Sequence, residues 1–333
     1  MTSSDTQYGR IPVAYHGMAS DPQAVDARVG RKLAVTGANS AVGCELLAQV
    51  ALDDTLGAAA AVRRPEAVDV LPRSPRITPH VIHYGDPASL QTAFDGADCV
   101  VHLAGILFET PTSDYRRGNV ESTRAVVAAA RATGVRHVVF ISSVGADPAS
   151  PNGYFRSKGE AERLVAEAGI GATNVRTPLL LGPGTAGGRA LLRDASGAST
   201  RLLGGGTHHL RPLDVDDLCR AILNCCRRPE DGARTCELVG PTTVTYRDLV
   251  EQTARRLGRE VAIGSTPVWL ARLVSRLAGL VRSGGLTPDV IDVITSDEAV
   301  DRNADGELGV TLTPLAGSID RLCKAAASRE GSA

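Results

Sequence analysis

The chain has 333 residues and a formal net charge of −1. That length can bury a large core, and the balanced charge gives no field drawing the chain to nucleic acid. Seven cysteines, odd in number and without a C-x-x-C pair, fit reduced, buried thiols in a cytoplasmic protein; they match neither a disulfide framework nor a metal site. No apolar run is long enough to span a bilayer. Residues 1–30 contain Ser, Asp, Pro and Gly with no apolar core segment, and read as a disordered leader rather than a signal peptide.

The first element is a short apolar strand, Leu33 to Val35, that stops at Thr36-Gly37. A helix follows, with Val42, Leu46, Leu47 and Val50 at helical spacing. Its N-terminus points back at the turn, where free N–H groups and the helix dipole form an anion site. Gly37 permits the turn and Gly43 lets the helix lie close to the strand. Gly37, Asn39, Ser40, Ala41 and Val42 are therefore candidates to line a dinucleotide pyrophosphate, with Ser40 standing where the usual fingerprint has its middle glycine.

The second strand, Leu56 to Val62, ends in Arg63-Arg64 with no acid at its tip. An acid there would bind the ribose hydroxyl of NAD, whereas arginine pairs with the 2′-phosphate of NADP. This favours NADP(H) over NAD(H), against the plainer reading of two solvated surface arginines. His80 to His83 reads as a third strand and Pro87 to Phe94 as a helix. Asp86 fits two roles, helix cap and acceptor for the adenine amino group. Cys99 to Leu103 is a nearly continuous apolar run, as expected of a central parallel strand, and ends in the small pair Ala104-Gly105. Leu103, Ala104 and Gly105 are placed where a cofactor passes closely.

Tyr115 to Thr133 reads as a helix and His137 to Ile141 as a strand, with Ser142-Ser143 at its C-terminal end, the ligand-binding edge of an open parallel sheet. The next helix runs from Tyr154 to about Ala168. Tyr154 and Lys158 are four residues apart and share one face. An ammonium near a phenol lowers its pKa, so the phenol can exchange a proton with an alcohol or carbonyl. Ser143 can orient the same oxygen. Lys158 stands out because only three of the 36 basic residues are lysine.

As a set, several motifs resemble an extended or atypical short-chain dehydrogenase/reductase. They are Thr36-Gly37-x5-Gly43, Gly85-Asp86, His102-Leu-Ala-Gly105, Asn119, Ile141-Ser-Ser-Val144, Tyr154-x3-Lys158, Val175-Arg-Thr-Pro178 with Gly182-Pro-Gly184, and Arg211-Pro-Leu-Asp-Val-Asp-Asp217. The resemblance covers roughly residues 31 to 260. Within the family the chain is similar to the NmrA-like and complex I-associated-subunit-like branch. It implies a nicotinamide cofactor and a Ser-Tyr-Lys site. Tyr154 would be the acid/base, Lys158 would lower its pKa and hold the nicotinamide ribose, Ser143 would orient the substrate oxygen, and Asn119 would support the proton relay. Thr177 and Pro178 would run past the nicotinamide. The chain departs from the pattern at Ser40 and in its short Ser143-to-Tyr154 spacing.

Beyond this, Thr173 to Leu181 reads as a strand, Gly187 to Ser196 and Leu218 to Arg227 as helices, Glu237 to Gly240 as a short strand, and Tyr246 to Leu257 as a helix. Residues 267–282 are strongly apolar (Trp269, Leu270, Leu273, Val274, Leu277), with Arg272, Arg276 and Arg282 along another side. They read as a packed helix, a lid, or a helix in peripheral contact with a membrane surface. Another helix lies near Pro288 to Thr295, and the last ten residues look loose. The expectation is an α/β protein with a Rossmann-type doubly wound parallel sheet and a smaller, mainly helical C-terminal substrate lobe. The dinucleotide domain spans 31–182, with one strand–helix unit allowed to return from 205–240, and the lobe spans 183–330. The expected function is hydride transfer, dependent on NADP(H), between nicotinamide and a secondary alcohol or ketone of an apolar small molecule, in a cytoplasmic enzyme, plausibly a dimer. The alternatives are a nucleotide-sugar epimerase/dehydratase and a non-catalytic NADP(H)-binding regulatory or assembly protein.

Overall fold

Strands buried on both faces have no room for polar side chains, and the Leu-Gly-Ala-Ala-Ala-Ala-Val run of the second strand is buried at every position. In the computed structural model, which describes residues 30–279 and 286–330, such strands build one parallel sheet. Its first half contains β1 (Arg31–Thr36), α1 (Ala41–Leu52), β2 (Leu56–Val62), β3 (Ile77–Val81), α2 (Pro87–Phe94) and β4 (Cys99–His102). A π-helical stretch, Arg116–Glu121, leads into α3 (Ser122–Ala132). Then come β5 (His137–Ser143), α4 (Gly153–Ala166) and β6 (Gly171–Thr177).

The remaining elements are β7 (Leu180–Leu181), α5 (Ala186–Ser196), β8 (Ser199–Leu203), β9 (His209–Leu210), β10 (Leu213–Asp214), α6 (Val215–Arg227), β11 (Ala233–Glu237), β12 (Val244–Thr245), α7 (Tyr246–Arg256), β13 (Ala262–Thr266), α8 (Val268–Gly279), α9 (Pro288–Thr295) and α10 (Leu315–Glu330). The sheet order is β3-β2-β1-β4-β5-β6-β11, all parallel. The winding reverses between β1 and β4, so their C-terminal ends flank the crevice where such sheets bind ligands. One apolar layer joins α1 and α6 to the sheet, a second joins α2, α3 and α4, and a third packs α5, α7 and α10 together. This is a Rossmann-type fold.

Several expectations need correction. The third strand is Ile77–Val81, earlier than His80 to His83, because the Ile77 side chain is the one that enters the core beneath β2. Residues 173–181 are two strands, not one: the chain leaves the sheet at Pro178, and Leu180–Leu181 pairs with β10. The edge strand is Ala233–Glu237, ahead of the apolar Leu238-Val239 that suggested 237–240. Of the last ten residues, expected to be loose, 324–330 continue α10 to Glu330, and 331–333 lie outside the described residues. Ile319, Leu322 and Cys323 of that helix are buried against α5 and α7. The leader, apart from Gly30, and residues 280–285 of the apolar stretch lie outside the described residues. No helix among the described residues is long and apolar enough to cross a membrane.

Candidate active site

Gly37 begins the turn after β1 with φ +71, and a Cβ there would lie 3.0 Å from the Ala104 nitrogen. Leu103 N–H donates to Thr36 O at 3.1 Å, which ties the end of β4 to this loop. Ser40 takes φ −71 and ψ 164, an ordinary extended conformation, so glycine is not required at this position. Its hydroxyl accepts from Gly43 N at 3.0 Å and caps α1. The serine therefore replaces the usual glycine without strain and settles one orphan donor of the helix. The first turn carries no acid, so its remaining N–H groups, at Ala41 and Val42, face an anion site that nothing in the turn neutralises. The backbone cradle, the capped helix start and the small Ala104-Gly105 pair opposite fit a dinucleotide.

Arg63 and Arg64 follow β2 directly. Both are exposed, and neither makes an ion pair among the described residues. Asp86 is the N-cap of α2, accepting from Ala88 N at 3.1 Å, and its exposed carboxylate keeps lone pairs free for a second donor.

On the other side of the crevice, β5 carries both serines, and they do different things. Ser142 points into the protein and is buried, whereas Ser143 is half-buried with its hydroxyl donating to Val144 O at 3.1 Å. Asn152 caps α4, accepting from Tyr154 N at 3.0 Å and Phe155 N at 3.2 Å. This cap fixes Tyr154 in the first turn. The Tyr154 ring packs edge-on to Tyr115 at 6.0 Å. One further turn along, Lys158 is 6% exposed. Its ammonium donates to Ile141 O at 2.6 Å and lies 4.2 Å from the Phe140 ring centre. Added to Gly105, a Cβ would come within 3.7 Å of that ammonium. Ser143, Tyr154, Lys158 and Gly105 thus gather at one end of the sheet.

The electrostatics differ from the simple expectation. Burial raises the Tyr154 pKa, and the group that works against this is Ser143, not Lys158. The reason is geometric, since the ammonium lies against Ile141 O and the Phe140 ring. Burial also pulls Lys158 down to about 8, with Glu162 opposing. Asn119, expected to support a proton relay, has its side chain held by three hydrogen bonds. Its amide donates to Ile106 O at 3.1 Å and Ser157 Oγ at 2.9 Å, and its oxygen accepts from Ile106 N at 2.7 Å. It clamps the loop after Gly105 onto the Tyr154 helix. On the far side, Thr177 Oγ1 donates to Ser142 O at 3.1 Å, and Leu179 N–H, just past Pro178, donates to Glu298 at 2.8 Å.

Sequence reasoning missed a buried group beneath the crevice. His102 lies 2.6 Å from Thr36 Oγ1 and 3.0 Å from Thr123 Oγ1, and stacks on Phe140 with ring centres 5.5 Å apart. Burial and the nearby Lys158 charge push its pKa down to about 3, so it is neutral. Its signal was present: two polar residues, Thr36 and His102, each follow an apolar run at the end of neighbouring strands and stand directly opposite each other in register. The adjacent histidines 208 and 209 have different partners: His208 stacks on Tyr246, while His209 meets Asp297.

Fold and site together define an α/β protein with a Rossmann-type sheet whose ligand-binding edge carries Ser143, Tyr154 and Lys158. Residues 37–202 match the family described as NAD(P)H-binding. Over those residues, about half of the chain, it carries an NAD(P)-binding domain of this family. A relative from Caulobacter vibrioides named ceramide reductase is 28% identical over 52% of this chain. That match spans 55% of the relative, so the chain covers only about half its length. A Streptomyces griseus protein, (4-alkanoyl-5-oxo-2,5-dihydrofuran-3-yl)methyl phosphate reductase, is 28% identical over 72% of this chain and 78% of its own. Among solved structures, MoeE5 in complex with UDP-glucuronic acid and NAD shares the fold, with a TM-score of 0.70, 22% identity, and coverage of 90% of this chain and all of that one.

Proposed function

We propose that this chain is a reductase, dependent on NADP(H), of ketones on apolar small molecules, working reversibly on the matching secondary alcohols. The observation that carries the reading is the gathering of Ser143, Tyr154 and Lys158 beside Gly105 at the crevice. The names of the two reductase relatives support the reaction class. Gly37, Asn39, Ser40, Ala41 and Val42 would hold the pyrophosphate, Asp86 the adenine end, and Leu103, Ala104, Gly105, Thr177 and Pro178 the nicotinamide half. When bound, the dinucleotide supplies or accepts hydride. The protein's part is proton management. Ser143 donates a hydrogen bond to the carbonyl oxygen, and Tyr154, protonated because burial disfavours its phenolate, gives that oxygen its proton as negative charge builds. Lys158 supplies a positive charge beside Gly105 and holds the cofactor ribose.

The exposed pair Arg63 and Arg64 supports NADP(H) over NAD(H). Replacing both with alanine is expected to weaken NADPH binding by roughly ten- to a hundredfold, the worth of one or two charge-assisted hydrogen bonds, and leave NADH binding unchanged. Paired fluorescence titrations check this; equal losses for both cofactors would remove the arginines from the 2′-phosphate site.

The pH profile follows from Lys158. With its pKa at about 8, the ammonium is present below that pH and neutral above it. The value of kcat/KM is expected to fall on the alkaline side with an apparent pKa near 8, and Lys158→Met to lose that limb together with most of the activity. A rate flat to pH 10 would assign Lys158 a structural role. Net oxidation of NADPH with an apolar ketone tests the reaction class itself. Turnover without net cofactor change would point to an epimerase.

A further inference from the structure

Helix α8 presents its apolar face outward. Among the described side chains of the helix, Val268, Ala271 and Ser275 are the half-buried positions. Trp269, Leu270, Leu273 and Val274 are 67%, 38%, 48% and 56% exposed. At the helical angle of about 100° per residue these four form one continuous arc. Leu286 and Ile294 add apolar surface before and along α9, which packs against α8. Scattered exposed apolar residues need no explanation, but a contiguous patch on one helix marks an interaction surface.

The charges indicate what covers it. Arg272 and Arg276 border one edge of the arc, and there is no acidic residue from 267 to 286. Arg272 is held by Asp292 at 2.6 Å. Arg276 is exposed and makes no ion pair among the described residues. An apolar arc with a tryptophan at one end and a cationic edge matches the boundary between lipid headgroups and acyl chains. At 12 residues, α8 is too short to cross a bilayer. We propose that α8 docks on the surface of an anionic lipid bilayer, with Trp269, Leu270, Leu273 and Val274 entering the interface and Arg276 meeting the lipid phosphates.

The docking helix is joined to the candidate active site through α9, which packs against both α8 and α4. Asp289, in the first turn of α9, accepts from Gly153 N at 2.9 Å through its carboxylate and from the Asn152 amide at 2.9 Å through its carbonyl. These are the two residues that open the Tyr154 helix. A docked α8 therefore ties the bilayer surface, through α9, to the two residues that open the Tyr154 helix. The docking itself is independent of the catalytic reading, and so is its test.

Trp269 is the only tryptophan of the chain, so intrinsic fluorescence reports on α8 directly. Full-length protein is titrated with phosphatidylcholine vesicles with and without phosphatidylglycerol, and binding is checked by co-sedimentation. The expected result is a blue shift and co-sedimentation with the anionic vesicles, weakened by salt and absent with phosphatidylcholine alone. Arg276→Gln is expected to weaken binding about fivefold, as for the loss of one interfacial cation. The double variant Leu273→Glu, Val274→Glu is expected to abolish it while leaving the melting temperature unchanged. An unshifted spectrum with no co-sedimentation on anionic vesicles overturns the proposal. So does a lipid-free dimer that the double variant dissociates, because the face would then belong to a second copy.

Discussion

Tyr154→Phe is expected to lower kcat by about 10²- to 10⁴-fold, the usual worth of a positioned general acid. The substitution removes one oxygen and keeps the ring. The packing against Tyr115 at 6.0 Å and Phe155 at 5.7 Å therefore survives, as does the Asn152 cap, which bonds the backbone. Stability and NADPH affinity should match the parent protein. That split is what distinguishes a catalytic phenol from a packing one. A Tyr154 that only packs would keep both its melting temperature and its rate in this variant. The measurement is steady-state turnover of a confirmed ketone, alongside a thermal melt and a cofactor titration of the same preparation. Unchanged turnover would remove the proposed proton donor and favour the non-catalytic, cofactor-holding alternative.

Gly43→Ala should damage fold and cofactor site together. A Cβ at residue 43 would lie 2.5 Å from the Ala38 carbonyl oxygen and 2.7 Å from that of Gly37. Both are backbone atoms of the turn, so no side chain can swing aside to relieve the contact. The helix must back away from β1, and Ala41 and Val42 move with it. Overpacking of this kind costs about 1–3 kcal/mol. Dinucleotide affinity should fall more than about tenfold, equivalent to about 1.4 kcal/mol. Gly306→Ala is the control: a Cβ there meets nothing within 4 Å, and stability should stay within about 0.5 kcal/mol of the parent. The test is chemical denaturation and NADPH titration of both variants. If Gly43→Ala binds NADPH like the parent protein, the start of α1 is not the phosphate site.

The legible parts of the chain were those governed by local pattern. The helix at Pro87–Phe94 was bounded correctly because Asp86 caps it, Pro87 opens it and Asp95-Gly96 closes it, all within a few residues. The second strand was legible because a run buried on both faces is apolar throughout. Helix α10 was not, because its apolar residues are interspersed with Arg321, Lys324 and Asp320, and only the neighbouring faces of α5 and α7 make it a core element. The edge strand Ala233–Glu237 was misplaced for a similar reason. Its sequence, Ala-Arg-Thr-Cys-Glu, has no strand signature, and pairing with β6 supplies what the sequence lacks.

The candidate site divides along the same line. The amino-acid sequence by itself determined the chemistry that can occur: a glycine turn before a helix, two arginines at a strand tip, and a serine, tyrosine and lysine in the order and spacing of a dehydrogenase site. These are properties of side-chain type and local spacing, which a one-dimensional chain carries in full. Only the tertiary structure decided where the charges go. It turned the Lys158 ammonium toward Ile141 and Phe140, set Ser143 rather than the lysine against the Tyr154 phenol, and closed Asn119 onto Ile106. It also put the apolar face of α8 outside rather than inside. The physical reason is that a pKa, a hydrogen-bond partner and a buried face depend on neighbours distant in sequence, and on how much water the packing of those neighbours excludes.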